Sequence, residues 1–242
     1  MNTYKNWGIF VNEMKKVKKS YFKTADGSPT LYMDQFDEYY HSKHGALQEA
    51  MHVYLEMGFE YWQTQHLGSK QCHIFEMGFG TGLNAFLTAK AAKEANIQVC
   101  YHTIEAYPLS SAEMNEVNYF SFLDQEDNRL FKLIHNAPWE EEHSITSNFK
   151  LKKVHCLLED YIPEGKTDLI YYDAFGARAQ PEIWADECFP KLTEYMNPGA
   201  VFVTYAAIGR VRRTLLRLGL ETCLVPGPPG KREMIRALKP LL

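Results

Sequence analysis

Four carboxylates, Glu76, Glu105, Asp160 and Asp173, each stand at or just past the end of an apolar, strand-like run: "CHIFEM", "QVCYHTIEA", "KLKKVHCLL" and "DLIYYDAF". After the first run comes "GFGTGLN", with Gly78, Gly80 and Gly82 spaced two apart and Asn84 behind them. A glycine turn between a strand and a helix presents free backbone N–H groups and lets a ligand approach the chain closely. A dinucleotide fingerprint would read G-x-G-x-x-G. Counted from Gly78, its third glycine falls on Leu83, and Gly82 stands one place early. The pattern is E-x-G-x-G-x-G. A carboxylate at Glu76 disfavours a pyrophosphate and suits a cationic ligand. S-adenosylmethionine carries an ammonium and a sulfonium and no phosphate, so a methyltransferase is expected. Glu105, ending the next strand, takes ribose hydroxyls in either cofactor class. Asp160 is placed to accept from an adenine amino group, with Tyr107 or Tyr161 to stack on the ring. For Glu76 alone the alternative is a capping carboxylate at a helix N-terminus.

Asp173 is where the chemistry is expected. It ends an apolar run at the carboxyl edge of the sheet, the side on which open α/β folds bind ligands. Methyl transfer needs an unprotonated nucleophile aligned with the S–CH3 bond, and positioning is the large contribution. A carboxylate beside an amine can orient it and receive its proton. The alternative is that Asp173 only caps its loop, with Pro181 opening the next helix.

These residues need a frame. Residues 20–24 and 29–33 read as two strands around Asp26-Gly27, a hairpin. The stretch from 34 to 62 then reads as helical, with Leu47, Met51, Tyr54 and Leu55 on one stripe. From residue 72 strands alternate with helix candidates at 82–94, 109–121, 125–135, 181–196 and 209–217, and "AVFVTYA" and "EMIRALK" are the late strands. This predicts an α/β fold, a doubly wound, mostly parallel sheet with an antiparallel last strand. Residues 1–70 form an N-terminal extension, hairpin and helix, and 71–242 the cofactor-binding domain.

The chain has 242 residues, 45% of them hydrophobic, enough for one sizeable core. A net charge of −4 excludes a globally basic nucleic-acid binder and leaves room for a local patch. Five dispersed cysteines without a C-x-x-C pair argue against a disulfide framework and against zinc; Cys72, Cys100 and Cys156 read as buried thiols. No H-x-x-x-H or H-E-x-x-H pair occurs, so no metal is expected. With no signal-peptide core and no apolar run of membrane-spanning length, the reading is a soluble cytoplasmic protein.

Five segments in order resemble one family, the methyltransferase domain of the bifunctional tRNA-modifying enzyme MnmC and its stand-alone relatives. They are "YHSKHGALQEAMHVY" (40–54), "FEMGFGTGLN" (75–84), "YDAFGARAQPEIW" (172–184), "GRVRRTLLRLGL" (209–220) and "GKREM" (230–234). The likeness runs from about residue 21 to the end, and it covers a class I S-adenosylmethionine methyltransferase fold. It implies methyl transfer to the exocyclic amine of wobble 5-aminomethyl-(2-thio)uridine in tRNA. It implies that Asp173 is the active-site aspartate, with Phe175 walling the site near the target base. Glu76, Gly78, Gly80, Gly82 and Asn84 would form the methionine-end pocket, Glu105 would hold the ribose and Asp160 would lie near the adenine. The chain departs from the pattern at Glu159, where the family often has Gly, and at Ala174 and Ala177, where Gly and Pro are common. The bifunctional members add an oxidase domain that makes the substrate amine. A chain ending at Leu242 is expected to be the stand-alone form, supplied by another enzyme.

For tRNA, Arg210 and Arg213 share one helix face with Arg217, Arg212 stands beside them, and Lys231 and Arg232 follow in the last loop. Such residues supply affinity and orientation through phosphates; a solvated helix face is the alternative. Lys15, Lys16, Lys18 and Lys19 read as a soluble terminus. The competing functions are a methyltransferase acting on a small amine or a protein, a non-catalytic nucleoside-binding subunit of a tRNA-modification complex, and, third, an NAD-dependent oxidoreductase.

Overall fold

The computed structural model describes residues 19–25, 27, 29–35, 37–40, 45–117 and 124–241. Lys15, Lys16 and Lys18, and the end of the 109–121 helix candidate, lie outside these residues. The hairpin is present: β1 (Lys19–Lys23) pairs antiparallel with β2 (Pro29–Met33). The chain does not then turn helical at 34. A short β3 (Glu38–Tyr39) adds to β2 first, and the helix starts at Ala46.

That helix runs as α1 (Ala46–Ala50), a π-wound stretch Met51–Glu60 and α2 (Tyr61–Gln65). The wider π turn, bonded i to i+5, resets the buried stripe to a four-residue step through Ala46, Ala50, Tyr54, Gly58 and Trp62. Tyr54 and Leu55 are buried as expected, whereas Leu47 is 44% exposed. Gly58 lets the rod lie against the sheet: a Cβ there would sit 3.0 Å from the Tyr171 ring and 3.2 Å from Val203.

The remaining elements are β4 (Gln71–Met77), α3 (Leu83–Ala95), β5 (Gln98–Glu105), α4 (Ser111–Val117), α5 (Gln125–Asn136), β6 (Glu142–Thr146), β7 (Phe149–His155), β8 (Thr167–Tyr172), a 3-10 turn Glu182–Trp184, α6 (Cys188–Glu194), β9 (Met196–Thr204), α7 (Gly209–Arg217), β10 (Glu221–Pro226) and β11 (Glu233–Leu238). The predicted helix over 181–196 is thus two pieces. One eight-stranded sheet has the order β10-β11-β9-β8-β4-β5-β7-β6. Strands β7, β5, β4, β8 and β9 are mutually parallel; β6, β11 and β10 run antiparallel to their neighbours. The sheet is the predicted doubly wound, Rossmann-like one, with the last strand antiparallel.

The parallel strands are buried on both faces, as apolar runs such as β8 require. One core joins the rod (Val53, Tyr54, Phe59, Trp62) to Ile74, Val99, Leu169 and Val201; the other gathers Phe75, Ile170, Trp184, Phe189, Phe202 and Ile235. Chain order reverses between β4 and β8, with β5 on one side and β9 on the other, so their carboxyl ends open a crevice at the switch point. Cys72 is buried, while Cys100 and Cys156 are only half-buried. No helix among the described residues is long and apolar enough to cross a membrane.

Candidate active site

A cavity of about 980 Å³ opens at that switch point, the upper end of the range for small-molecule and cofactor sites. Its floor is the β4–α3 turn. Gly78, Gly80 and Gly82 all take positive φ. At Gly78 (φ 93°) a Cβ would lie 2.3 Å from the Asp173 carbonyl oxygen, so only glycine admits the crossing of the two strand ends. The turn is fastened from below: Gly78 N and Phe79 N donate to Ile104 O, and Asp173 N donates to Met77 O. Lys153, fully buried, donates to the carbonyls of Ile134 and His135 at the end of α5 and lies 5.2 Å from the Phe79 ring centroid. Burial draws its ammonium down to about 8. His135 contacts Thr81 O at 2.7 Å, and burial draws its imidazole down to about 4.

Gly78, Gly80, Asn84, Glu105, Asp173 and Phe175 all line the cavity. Glu105 accepts from Gly80 N (2.9 Å) and Tyr107 N (2.8 Å), which holds its carboxylate at the cavity edge beside the glycine turn. Asn84 donates through one nitrogen to Asp173 Oδ2 (2.7 Å) and to Glu76 Oε1 (3.1 Å), bridging two carboxylates. Phe175 packs edge-on against Tyr40, ring centroids 5.0 Å apart.

Glu76 sits elsewhere than the sequence implied. It is 0% exposed and does not reach the cavity wall. Strand alternation sends it to the face covered by α3, where Asn84 closes over it. Its Oε2 faces the Tyr101 and Thr103 hydroxyls without a regular hydrogen bond. Burial, with Asp173 nearby, pushes its carboxyl well above the usual carboxylate range. Glu76 therefore meets the cavity only through Asn84, and the cavity's negative wall comes from other residues. Gly82 also lies off the cavity, at the N-terminus of α3. Asp160 is exposed and off the cavity as well. The turn after β7, with Asp160 N and Tyr161 N both donating to Leu157 O, presents Cys156 to Glu159 to the cavity instead. Tyr161 goes to the core against Phe75 (4.8 Å), leaving Tyr107 as the aromatic of that pair on the wall.

Asp173 is half-buried and lines the cavity. Burial, then the charge of Glu49, pushes its carboxyl up to about 7, against the nearby Tyr54 hydroxyl, the hydrogen bond from Asn84 and the charge of Lys231. The loop beyond it is pinned at two carbonyls: Tyr205 Oη donates to Ala174 O (2.8 Å) and Trp184 Nε1 to Phe175 O (2.7 Å).

Of the basic residues expected to meet phosphates, Lys231 is inside the cavity, ion-paired with Glu49, its ammonium 3.7 Å from the Tyr205 ring centroid. Arg210 donates to Trp184 O and, with Arg217, pairs with Asp186. Arg212 turns toward β10, donating to Thr222. Arg213 and Arg232 are exposed. Tyr40, Glu49 and Tyr205 line the cavity and Tyr54 lies beside Asp173; the first two and Tyr54 fall in the 40–54 segment quoted above but were given no role there, and Tyr205 was not singled out. Glu49 carried one signal, an acid next to Ala50 on the buried stripe of the rod.

The cavity suits a cationic nucleoside cofactor. Glu38, Glu49, Glu105, Glu159, Asp173, Glu182 and Glu187 line it against two cationic side chains among the described residues, Lys191 and Lys231, and Lys231 is already paired. That wall opposes a pyrophosphate and attracts a sulfonium and an ammonium.

Comparison with known proteins agrees. Residues 128–240 match a family model described as S-adenosyl-L-methionine-dependent methyltransferase. Curated relatives include the "tRNA 5-methylaminomethyl-2-thiouridine biosynthesis bifunctional protein MnmC" of Hydrogenovibrio crunogenus, 29% identical over 221 residues, which span 87% of this chain and 32% of that protein. The protein of the same name from Cupriavidus necator is 31% identical over 222 residues, 87% of this chain and 33% of that one. The chain spans about a third of the length of the curated relatives it matches. Among solved structures, MNMC2 from Aquifex aeolicus superposes with a TM-score of 0.72 at 20% identity, covering 95% of this chain and 72% of that one. Spermidine synthase from Thermotoga maritima gives 0.56 at 11% identity, covering 92% and 69%. Both likenesses are of fold. Residues 128–240 thus match the S-adenosyl-L-methionine-dependent methyltransferase family, and the chain over most of its length is similar to a portion of the MnmC proteins about one third of their length.

Proposed function

We propose that this methyltransferase converts wobble 5-aminomethyl-(2-thio)uridine of tRNA to the 5-methylaminomethyl nucleoside in the cytoplasm, acting after the enzyme activity that makes the amine. The observation that carries this reading is Asp173. It is a carboxylate of raised proton affinity, held by Asn84 beside the glycine turn and facing a cavity with room for a nucleoside cofactor and a second base.

When bound, S-adenosylmethionine supplies an electrophilic methyl group. The chain's own residues do the rest. The glycine turn and Asn84 receive the methionine end, Glu105 the ribose hydroxyls, and Leu157 to Glu159 with Tyr107 the adenine. Asp173 Oδ holds the substrate nitrogen and takes its proton, for which a carboxyl titrating near 7 is well matched. Phe175 and Tyr40 form an aromatic wall against which the extruded base stacks. Arg213 and Arg232, exposed on late elements, are the phosphate contacts.

The acidic, aromatic cavity would also accept a free alkylammonium, so a small-amine methyltransferase is the second reading. Nucleoside mass spectrometry of tRNA from a deletion strain separates the two. Accumulated aminomethyluridine without the methylated product supports the tRNA reading, and an unchanged nucleoside profile rejects it.

A further inference from the structure

Lys231 and Glu49 come from opposite ends of the chain and meet in the cavity that holds Asp173. The loop between β10 and β11 presents Lys231 in a fixed way: Gly227 N donates to Arg232 O (3.1 Å) and Lys231 N to Pro228 O (2.9 Å). The loop closes only because residue 227 lacks a side chain, since a Cβ there would lie 2.6 Å from Lys231 O. The ammonium is then held between the Glu49 carboxylate and the face of Tyr205. Tyr205 in turn donates to Ala174 O, the carbonyl next to Asp173, so the ring that carries the cation is fastened to the aspartate's own loop. Glu49 is only 8% exposed. A buried anion and a half-buried cation act on a neighbouring carboxylate more strongly than fully exposed charges do.

We propose that Lys231 and Glu49 are a charge pair that sets the proton affinity of Asp173 with opposite signs, and are thus positioning residues for its role as proton acceptor. Glu49 disfavours the ionised aspartate and Lys231 favours it. The other titratable groups that bear on Asp173 are Tyr54 on the rod, Glu76 and Tyr101 beneath it, and Tyr205 at the end of β9, with Glu38 acting on Tyr205. None of these brings a positive charge. Lys191, the second cation on the cavity, is engaged at the other end with Glu159 O. The inference rests on the amine-methylation reading for its catalytic meaning, not for its electrostatics.

The test is a pair of variants with opposite expected signs. Lys231→Met removes the cation and keeps the Glu49 charge, and Glu49→Gln removes the anion and keeps the Lys231 charge. In cofactor-free protein labelled with 13C-carboxyl aspartate, the Asp173 midpoint moves up in Lys231→Met and down in Glu49→Gln, each by roughly half a unit to one unit. Lys231→Arg keeps the charge and stays near the parent. In turnover the acid limb of kcat/KM shifts in the same directions, so that Lys231→Met is slow at pH 6.5 and recovers toward the parent at pH 8.5. An ion pair that merely ties the loop to α1 would lower the melting temperature in both variants and leave both midpoints unmoved. That result, or shifts of the same sign, overturns the proposal. If Lys231→Met does not fold, Glu49→Gln decides alone by the sign of its shift. The resonance titration needs no substrate. If its shifts appear and the parent does not methylate tRNA, the charge pair stands and the tRNA reading fails.

Discussion

Asp173→Asn should make the cofactor-free protein more stable at pH 8, and the gain should vanish in acid. The Asp173 carboxyl titrates at about 7 in the folded chain against 3.8 for a free aspartate. Between those values the folded state binds more protons than the unfolded one, so stability falls as pH rises through the window and the full penalty is present above pH 7. The whole shift corresponds to a ceiling of about 4 kcal/mol at 1.36 kcal/mol per unit. The carboxylate is reached by water through the cavity, which screens part of this, and about 2 kcal/mol is the expected cost. Asparagine keeps an acceptor for Asn84 and loses the charge that Glu49 and burial oppose. For a chain of this size about 2 kcal/mol is about 4 to 8 °C in melting temperature. The assay is thermal or urea unfolding of both proteins at pH 5, 6.5 and 8. A gain that grows from pH 5 to pH 8 is expected. A variant less stable than the parent at pH 8, or a difference independent of pH, would refute the claim that burial of this charge is the dominant effect.

Three other outcomes follow from the same geometry. Gly78→Ala drives a Cβ into the Asp173 carbonyl at a positive φ, so the protein should lose cofactor binding and melt well below the parent, by circular dichroism and calorimetry; unaltered melting would contradict the strand crossing described. Glu105→Ala should weaken S-adenosylmethionine binding about tenfold or more, about 1.4 kcal/mol in calorimetry, by removing a hydroxyl acceptor and the carboxylate that holds Gly80 N; equal affinity would remove Glu105 from the cofactor site. Arg213→Glu with Arg232→Glu should raise the KM for tRNA and flatten its salt dependence while leaving cofactor affinity unchanged; an unchanged salt slope would place tRNA on another face.

The glycine turn and the carboxyl ends of β4, β5 and β8 were legible because each is a local signal: apolar runs of strand length, a glycine triplet, and acids at the run ends. Parallel α/β topology then brings Glu105 and Asp173 to one crevice with no further information. What a run-end acid does depends on which way its side chain points, and a strand's last residues alternate faces. Glu76 was therefore placed on the ligand when it lies beneath Asn84. Asp160 was misplaced because the turn after β7 rotates Leu157 to Glu159 into the cavity ahead of it. Strands β3, β6 and β10 are short and have no buried position, so they carry no periodicity strong enough to read. Glu49 and Lys231 meet across 182 residues of chain; only the π-wound rod lying on the sheet and the closed loop before β11 bring them together. Lys231 consequently read as a surface cation beside Arg232. Leu47 faces outward for the same reason, the widened helical turn having moved the buried stripe off it.

In the proposed function, Asp173 directs methyl transfer to the aminomethyl nitrogen of a tRNA wobble uridine. The direct measurement is transfer of labelled methyl from S-adenosylmethionine to tRNA purified from cells lacking this protein, followed by nucleoside analysis, with the parent and Asp173→Ala side by side. Label is expected in the 5-methylaminomethyl nucleoside with the parent. The variant should lose most of that transfer and retain S-adenosylmethionine binding by calorimetry. Full activity of Asp173→Ala, or label in any nucleoside other than this one, would contradict the proposed function.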